Sequence, residues 1–132
     1  MSGISTFSDI LSDFDKLALD SNVFIYHFEQ HPIYRPLVKK VFSLGRDKQA
    51  DLITSILTVT EVFSNQLVAQ NLLLAQTYRQ VFESFPLLQV VETTIHVAYT
   101  AGDLRAQNKS LRTPDAIHLA TAITSQADVF IT

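Results

Sequence analysis

Residues 17–26 read LALDSNVFIY. Three apolar residues end on an acid, Asp20, and two polar residues follow before the chain turns apolar again. Residues 16–20 (KLALD) are short and apolar and lack the polar alternation of a half-exposed sheet, so they predict a buried strand. A charge at the end of such a strand needs a partner, a metal ion or water.

The same pattern recurs outward from this point, at residues 52–58 (LITSILT), 87–91 (LLQVV) and 128–132 (DVFIT). Helical patterns lie between. Residues 31–44 carry Pro32 and Pro36 near their start, then Leu37, Val38, Val41 and Phe42. Residues 61–85 place Val62, Phe63, Leu67, Leu72, Ala75, Phe82 and Phe85 near i, i+3, i+4 spacing. Residues 94–108 and the alanine-rich residues 114–125 complete the set. Strands alternating with helices predict an α/β domain with a mostly parallel sheet of four (or five) strands, covered on both faces. Residues 16–132 form this domain. Residues 1–15 are an N-terminal extension, in which Ile4, Phe7, Ile10, Leu11 and Phe14 are spaced for a short helix.

Composition narrows the function. The 132 residues contain no cysteine, which excludes disulfides, a thiolate nucleophile and a cysteine zinc site, and suits a reducing cytoplasm. Neither a basic, apolar leader pattern at residues 1–14 nor an apolar run of membrane-spanning length is present, so a cytoplasmic protein without membrane contact is expected. The three glycines are isolated, so no glycine-rich phosphate loop can form. Residues are 47% hydrophobic and 17% charged, which implies a well-filled core or an apolar face covered by a second copy or a partner. A net charge of -3 is unlike a generic nucleic-acid binder, although bound cations can neutralise an acidic site.

Open parallel sheets bind ligands at the carboxyl ends of their strands, so acids there come first. Asp20 ends the first strand; its plain alternative is a cap for the following helix. Glu61 follows the second strand, where Thr58 or Thr60 is placed to cap a helix with Glu61 in its first turn; there the alternative is an acid favoured by the helix dipole. Asp115 lies in RTPDAIHLATA, with Thr113 as expected N-cap and Pro114 as first helical residue. Its alternative is again the dipole. The alanines after it allow close approach to the sheet. Three converging acids would repel unless a divalent cation joined them. Mg²⁺ suits such a site, since it takes carboxylate oxygens, keeps waters and binds phosphate. The matching chemistry is activation of water for in-line attack on a phosphodiester, with no histidine base required.

With LALDSNVFIY, TVTEVF and RTPDAIHLATA followed by ADVFIT, residues 16–132 resemble the PIN-domain family, and within it the VapC-like toxins of bacterial toxin–antitoxin pairs. The resemblance implies a Rossmann-like three-layer α/β/α sandwich and a Mg²⁺- or Mn²⁺-dependent endoribonuclease. It also implies a homodimer and a cognate antitoxin that blocks the site. By motif, Asp20, Glu61 and Asp115 become the metal-binding, catalytic carboxylates. Asn22 matches a supporting polar position, and Thr132 matches the hydroxyl residue at the end of the last strand. The family pattern continues into a T-x-D-type segment that supplies a fourth acid, whereas this sequence stops at Thr132. Asp128 cannot replace that acid, because four residues at about 3.3 Å each put it roughly 13 Å from the strand's other end. A truncated chain, a natural end with three sufficient acids and an inactive site all stay open at this point.

Other side chains have two readings each. His118 shares a helix face with Asp115 and either touches RNA phosphate or packs in the interior. Arg105, Lys109 and Arg112 either steer RNA or antitoxin or are ordinary surface charge. Asp103 fits a solvated helix face. His27 and His31 lack a second ligand pair for zinc, and Phe24, Tyr26 and Phe28 suit packing more than base stacking. Two further classes compete with the ribonuclease. One is a catalytically impaired PIN-like module that binds a protein or RNA partner. The other is an aspartyl phosphoacceptor, disfavoured because Ser21 and Asn22 follow Asp20 where a D-x-D pair is needed.

Overall fold

A computed structural model describes residues 9–11 and 13–132 of the chain. The helix expected in the N-terminal extension lies largely outside the described residues; residues 9–11 are helical. The chain then runs β1 (Lys16–Leu19), α1 (Ser21–Phe28), α2 (Arg35–Arg46), β2 (Asp51–Ser55), α3 (Ile56–Ser64), α4 (Gln66–Ala69), α5 (Leu72–Ser84), β3 (Leu88–Val91), α6 (Ile95–Gln107), α7 (Thr113–Thr124) and β4 (Val129–Ile131).

Among the described residues the sheet has four strands, all parallel, in the order β3-β2-β1-β4. Leu17 pairs with Leu52 on one side and Val129 on the other, and Leu52 pairs with Leu88. Side chains alternate across the sheet, which sorts the core into layers. Leu17, Leu19 and Leu52 pack with Val23 and Phe24 of α1, Val38 and Val41 of α2 and Val62 of α3. Ala18 and Ile53, on the opposite face, pack with Ala122 of α7. Ala116 and Ala120 of α7 then meet Val97 and Ala101 of α6. The alanines thus do two jobs, bringing α7 close both to the sheet and to α6. The result is the three-layer α/β/α sandwich expected above. On the other face, α2 lies so close to β2 that a Cβ on Gly45 would stand 2.6 Å from Leu52 Cδ1.

Three boundaries differ from expectation, each for a local reason. The second strand ends at Ser55, not Thr58, because the Ser55 hydroxyl accepts from Leu57 N at 3.1 Å and caps α3. The single helix expected over residues 61–85 is three helices. Asn65 Oδ1 accepts from Leu67 N at 3.0 Å and Asn71 Oδ1 from Leu74 N at 3.1 Å, each cap starting a new helix. The helix expected from residue 31 starts at Arg35. His31 Nδ1 accepts from Ile33 N and Tyr34 N at 3.2 Å each and holds a turn, and Pro36 falls in the first helical turn.

Between α1 and α5, the Tyr78 hydroxyl sits 3.2 Å from His27 Nδ1 and 3.4 Å from Phe24 O. Burial pushes the His27 pKa below its ordinary 6.5, and the charges of Arg35 and Lys39 push it the same way. Protonation therefore favours the unfolded chain: stability is full above pH 6.5 and declines as pH falls below it toward the folded value. Between about pH 7 and pH 5.5 the urea midpoint of the wild-type chain should fall more than that of His27→Gln. Parallel midpoints would show that His27 contributes nothing to the acid sensitivity.

Candidate metal centre at the carboxyl ends of the strands

From β1 the chain steps to β2 and β3 on one side, then returns to β4 on the other. The switch point is therefore between β1 and β4, the place where an open α/β sheet leaves a crevice at its carboxyl edge. Asp20 stands there. It is the N-cap of α1, and its Oδ1 accepts from Ser21 N at 2.7 Å and Ser21 Oγ at 3.3 Å. Its Oδ2 accepts from Thr132 Oγ1 at 2.8 Å and Asn22 Nδ2 at 3.4 Å. The helix-cap alternative is thus realised, but it uses only part of the carboxylate. The residue is 8% exposed, and four donors from three residues hold it.

Behind it, Thr54 Oγ1 donates to Leu19 O at 2.8 Å and lies 2.7 Å from Thr58 Oγ1. A hydroxyl has one hydrogen, so Thr58 donates to Thr54. This chain of bonds ties the end of β1 to β2 and to α3.

Glu61 is in the second turn of α3, since that helix starts at Ile56. The dipole falls off within the first turn, so it does not account for Glu61 here. What Glu61 meets is His118 of α7: Nε2 of the imidazole is hydrogen-bonded to Glu61 Oε1 and lies 3.7 Å from Asp20 Oδ1. The His118 side chain is 2% exposed, so of its two readings the structure favours packing in the interior over direct contact with RNA phosphate.

Asp115 lies in the first turn of α7. The helix begins one residue earlier than expected, with Arg112 rather than Thr113 at the N-cap and no side-chain cap. Asp115 Oδ2 instead accepts from Arg112 Nε at 3.0 Å. That hydrogen bond raises the Arg112 pKa, and the charges of Asp115, Glu61 and Asp20 add to it. The three acids therefore share one field at the rim.

Asp20, Asp115, His118 and Thr132 line one cavity of about 160 Å³, backed by Leu111 and Phe130. A larger cavity of about 400 Å³ lies elsewhere, walled by Ile56, Phe63, Phe82 and Val90. It holds none of the three acids, although Arg79 and Glu83 also line it. Arg105 is not among the residues lining the smaller, acidic cavity, but its Nε donates to O of Leu111, which is, at 2.9 Å. Lys109 is exposed in the loop before α7. Among the described residues, no three acidic or histidine side chains stand in ligating positions around one point. Glu61 is turned onto His118 and Asp115 onto Arg112. In kind the donors suit a hard divalent cation, being carboxylates with a hydroxyl beside them and no sulfur. Residues missed by sequence reasoning are Ser21 and Thr54. Thr58, expected as a possible helix cap, instead bonds Thr54, and Ser55 caps α3.

A parallel sheet that gathers carboxylates over its switch point defines an acidic-site α/β domain. The PIN domain profile matches residues 17–132, and the chain belongs to that family, whose members are generally nucleases. Two solved structures are similar. One is a chain of a toxin–antitoxin complex from Klebsiella pneumoniae, with TM-score 0.63, 22% identity and coverage of 86% of this chain and 82% of that one. The other belongs to VapBC2 from Rickettsia felis bound to a DNA fragment from their promoter, with TM-score 0.64, 18% identity and coverage of 86% and 85%. At such identities the likeness is one of fold. No curated protein matches the chain.

Thr54→Val keeps the shape of the side chain and leaves Leu19 O and the Thr58 hydroxyl without their partner. It should lower the unfolding free energy by about 1–2 kcal/mol in urea titration. A loss under about 0.3 kcal/mol would mean that the buried chain of bonds does not brace the end of β1.

Proposed function

We propose that the chain is a metal-dependent endoribonuclease and the toxin of a toxin–antitoxin pair. The observation that carries this is the crevice at the β1–β4 switch point, where buried Asp20 and partly exposed Asp115 face one cavity with Glu61 one imidazole away. Asp20, Glu61 and Asp115 would hold Mg²⁺ or Mn²⁺. When bound, the ion supplies charge neutralisation and a water activated for in-line attack on a phosphodiester.

The protein's own residues do the rest. Thr132 and Asn22 fix the orientation of the Asp20 carboxylate. Arg112 sets a fully exposed positive charge beside Asp115, where an RNA phosphate would approach an otherwise acidic mouth. Lys109 adds a second exposed charge. Support for an antitoxin comes from the similar chains, which were solved in toxin–antitoxin complexes. Exposed Leu72, Leu73, Ile95 and Tyr99 offer apolar surface for a second copy, as a homodimer requires. No helix of the described residues is long and apolar enough to cross a membrane.

One observation favours a second reading, a PIN module that binds a partner without cleaving: Glu61 and Asp115 already have partners in His118 and Arg112. Incubating the chain with mixed RNA and Mg²⁺ or Mn²⁺, with and without EDTA, separates the two. Cleavage should vanish with EDTA and drop by about 10²-fold or more in Asp20→Asn, the scale for losing a group that stabilises transition-state charge. Cleavage indifferent to both changes would sink the metal mechanism. A folded chain that cleaves nothing would favour the binding module.

A further inference from the structure

His118 has no part in the function proposed above. It lies on α7, whose alanines pack on one face of the sheet, while Glu61 lies on α3, whose Val62 packs on the other face. The His118–Glu61 bond therefore crosses the carboxyl edge of the sheet from one helical layer to the other, passing within 3.7 Å of Asp20. The imidazole is buried, and its Nδ1 has no hydrogen-bond partner among the described residues. A buried polar atom left unpartnered calls for an explanation. Both atoms facing Nε2 are carboxylate oxygens, so the hydrogen belongs on Nε2. A histidine kept for packing would bond a backbone group through one nitrogen. This one directs its Nε2 hydrogen at Glu61, with Asp20 Oδ1 next nearest at 3.7 Å.

We infer that His118 is a positioning residue for the acidic centre, with its Nε2–H holding Glu61 of α3 within reach of Asp20. Two carboxylates brought together from separate layers repel each other. An N–H donor bonded to Glu61 and standing 3.7 Å from Asp20 Oδ1 holds the first carboxylate near the second. The bond to Glu61 Oε1 sets the orientation of that carboxylate in advance. Loss of such an outer partner typically weakens metal affinity about 10–100-fold. This inference rests on the metal-site reading above and specifies which residue prepares the site.

The test measures Mn²⁺ binding to the metal-free full chain by calorimetry, so the readout is independent of RNA cleavage. His118→Leu keeps an apolar side chain of similar size but removes the donor, and should bind Mn²⁺ about 10–100-fold more weakly while retaining its circular dichroism. His118→Gln places an amide N–H at comparable reach and should recover most of that loss. A merely structural role would lower the urea midpoint of both variants and leave their Mn²⁺ affinity alone, which would overturn the inference. Asp20→Asn separates the two levels. If Asp20→Asn loses Mn²⁺ binding while His118→Leu does not, positioning by His118 is refuted and the metal site stands. If Asp20→Asn binds as the wild type does, the metal site falls and this inference with it. The wild-type chain gives a check that needs no variant to fold: ¹⁵N spectra should show hydrogen on Nε2 of His118, and a bare Nε2 would overturn the assignment.

Discussion

Asp20 is a charge placed at the end of the central strand of a buried sheet, and much of the architecture is arranged around keeping it there. A carboxylate at 8% exposure is tolerable only when its oxygens are engaged. The engagement comes from α1 through Ser21 and Asn22, and from the end of β4 through Thr132. The same residue starts α1, joins β1 to β4 through its backbone N–H to Ile131 O at 2.9 Å, and faces the crevice. A charge that caps a helix needs its N–H donors; a charge that serves a cation needs free lone pairs. Four donors already match the about four acceptor sites of the Asp20 carboxylate, so a cation there would take the place of the longest of them, Asn22 Nδ2 at 3.4 Å.

Small side chains let the rest of the site close around it. Ala122 against Ala18 and Ile53, and Ala116 and Ala120 against α6, leave α7 no bulk to hold it away. The start of α7 is thereby set over the strand ends, with Asp115 at the rim and His118 one turn deeper. Pro114 and the Asp115–Arg112 pair shape that start without a side-chain cap. The other end of the sheet is held by a different acid. Asp128 Oδ2 accepts from Asp15 N and Lys16 N at 2.9 Å each, so it clamps the beginning of β1, far from the crevice.

How much of this was legible in the sequence follows the range of each interaction. The strand at LALD and the helix at TPDAIHLATA are local patterns, and the structure places both within a residue or so of expectation. So does the exclusion of Asp128 from the site, which needed only the rise of a strand. The misplaced boundaries are local too, but they turn on caps. Ser55, Asn65 and Asn71 each offer the backbone an alternative to the element expected there, and apolar periodicity is blind to that competition. His118 was out of reach for another reason. Its partner Glu61 is 57 residues away, on a helix of the opposite layer, and nothing in DAIHLATA distinguishes a histidine that packs from one that binds acids.

The bond between Thr132 and Asp20 spans 112 residues of chain. On a ribosome adding about 5–20 residues per second, Asp20 waits roughly 6–22 seconds before the hydroxyl that orients it has even been made. Through that interval β1 lacks its β4 neighbour, and the crevice between them does not exist. The acids are encoded early and late, and the last strand completes their surroundings. The fold thus carries its own clock: until β4 has been made, a nascent chain holds the acids without the surroundings that order them.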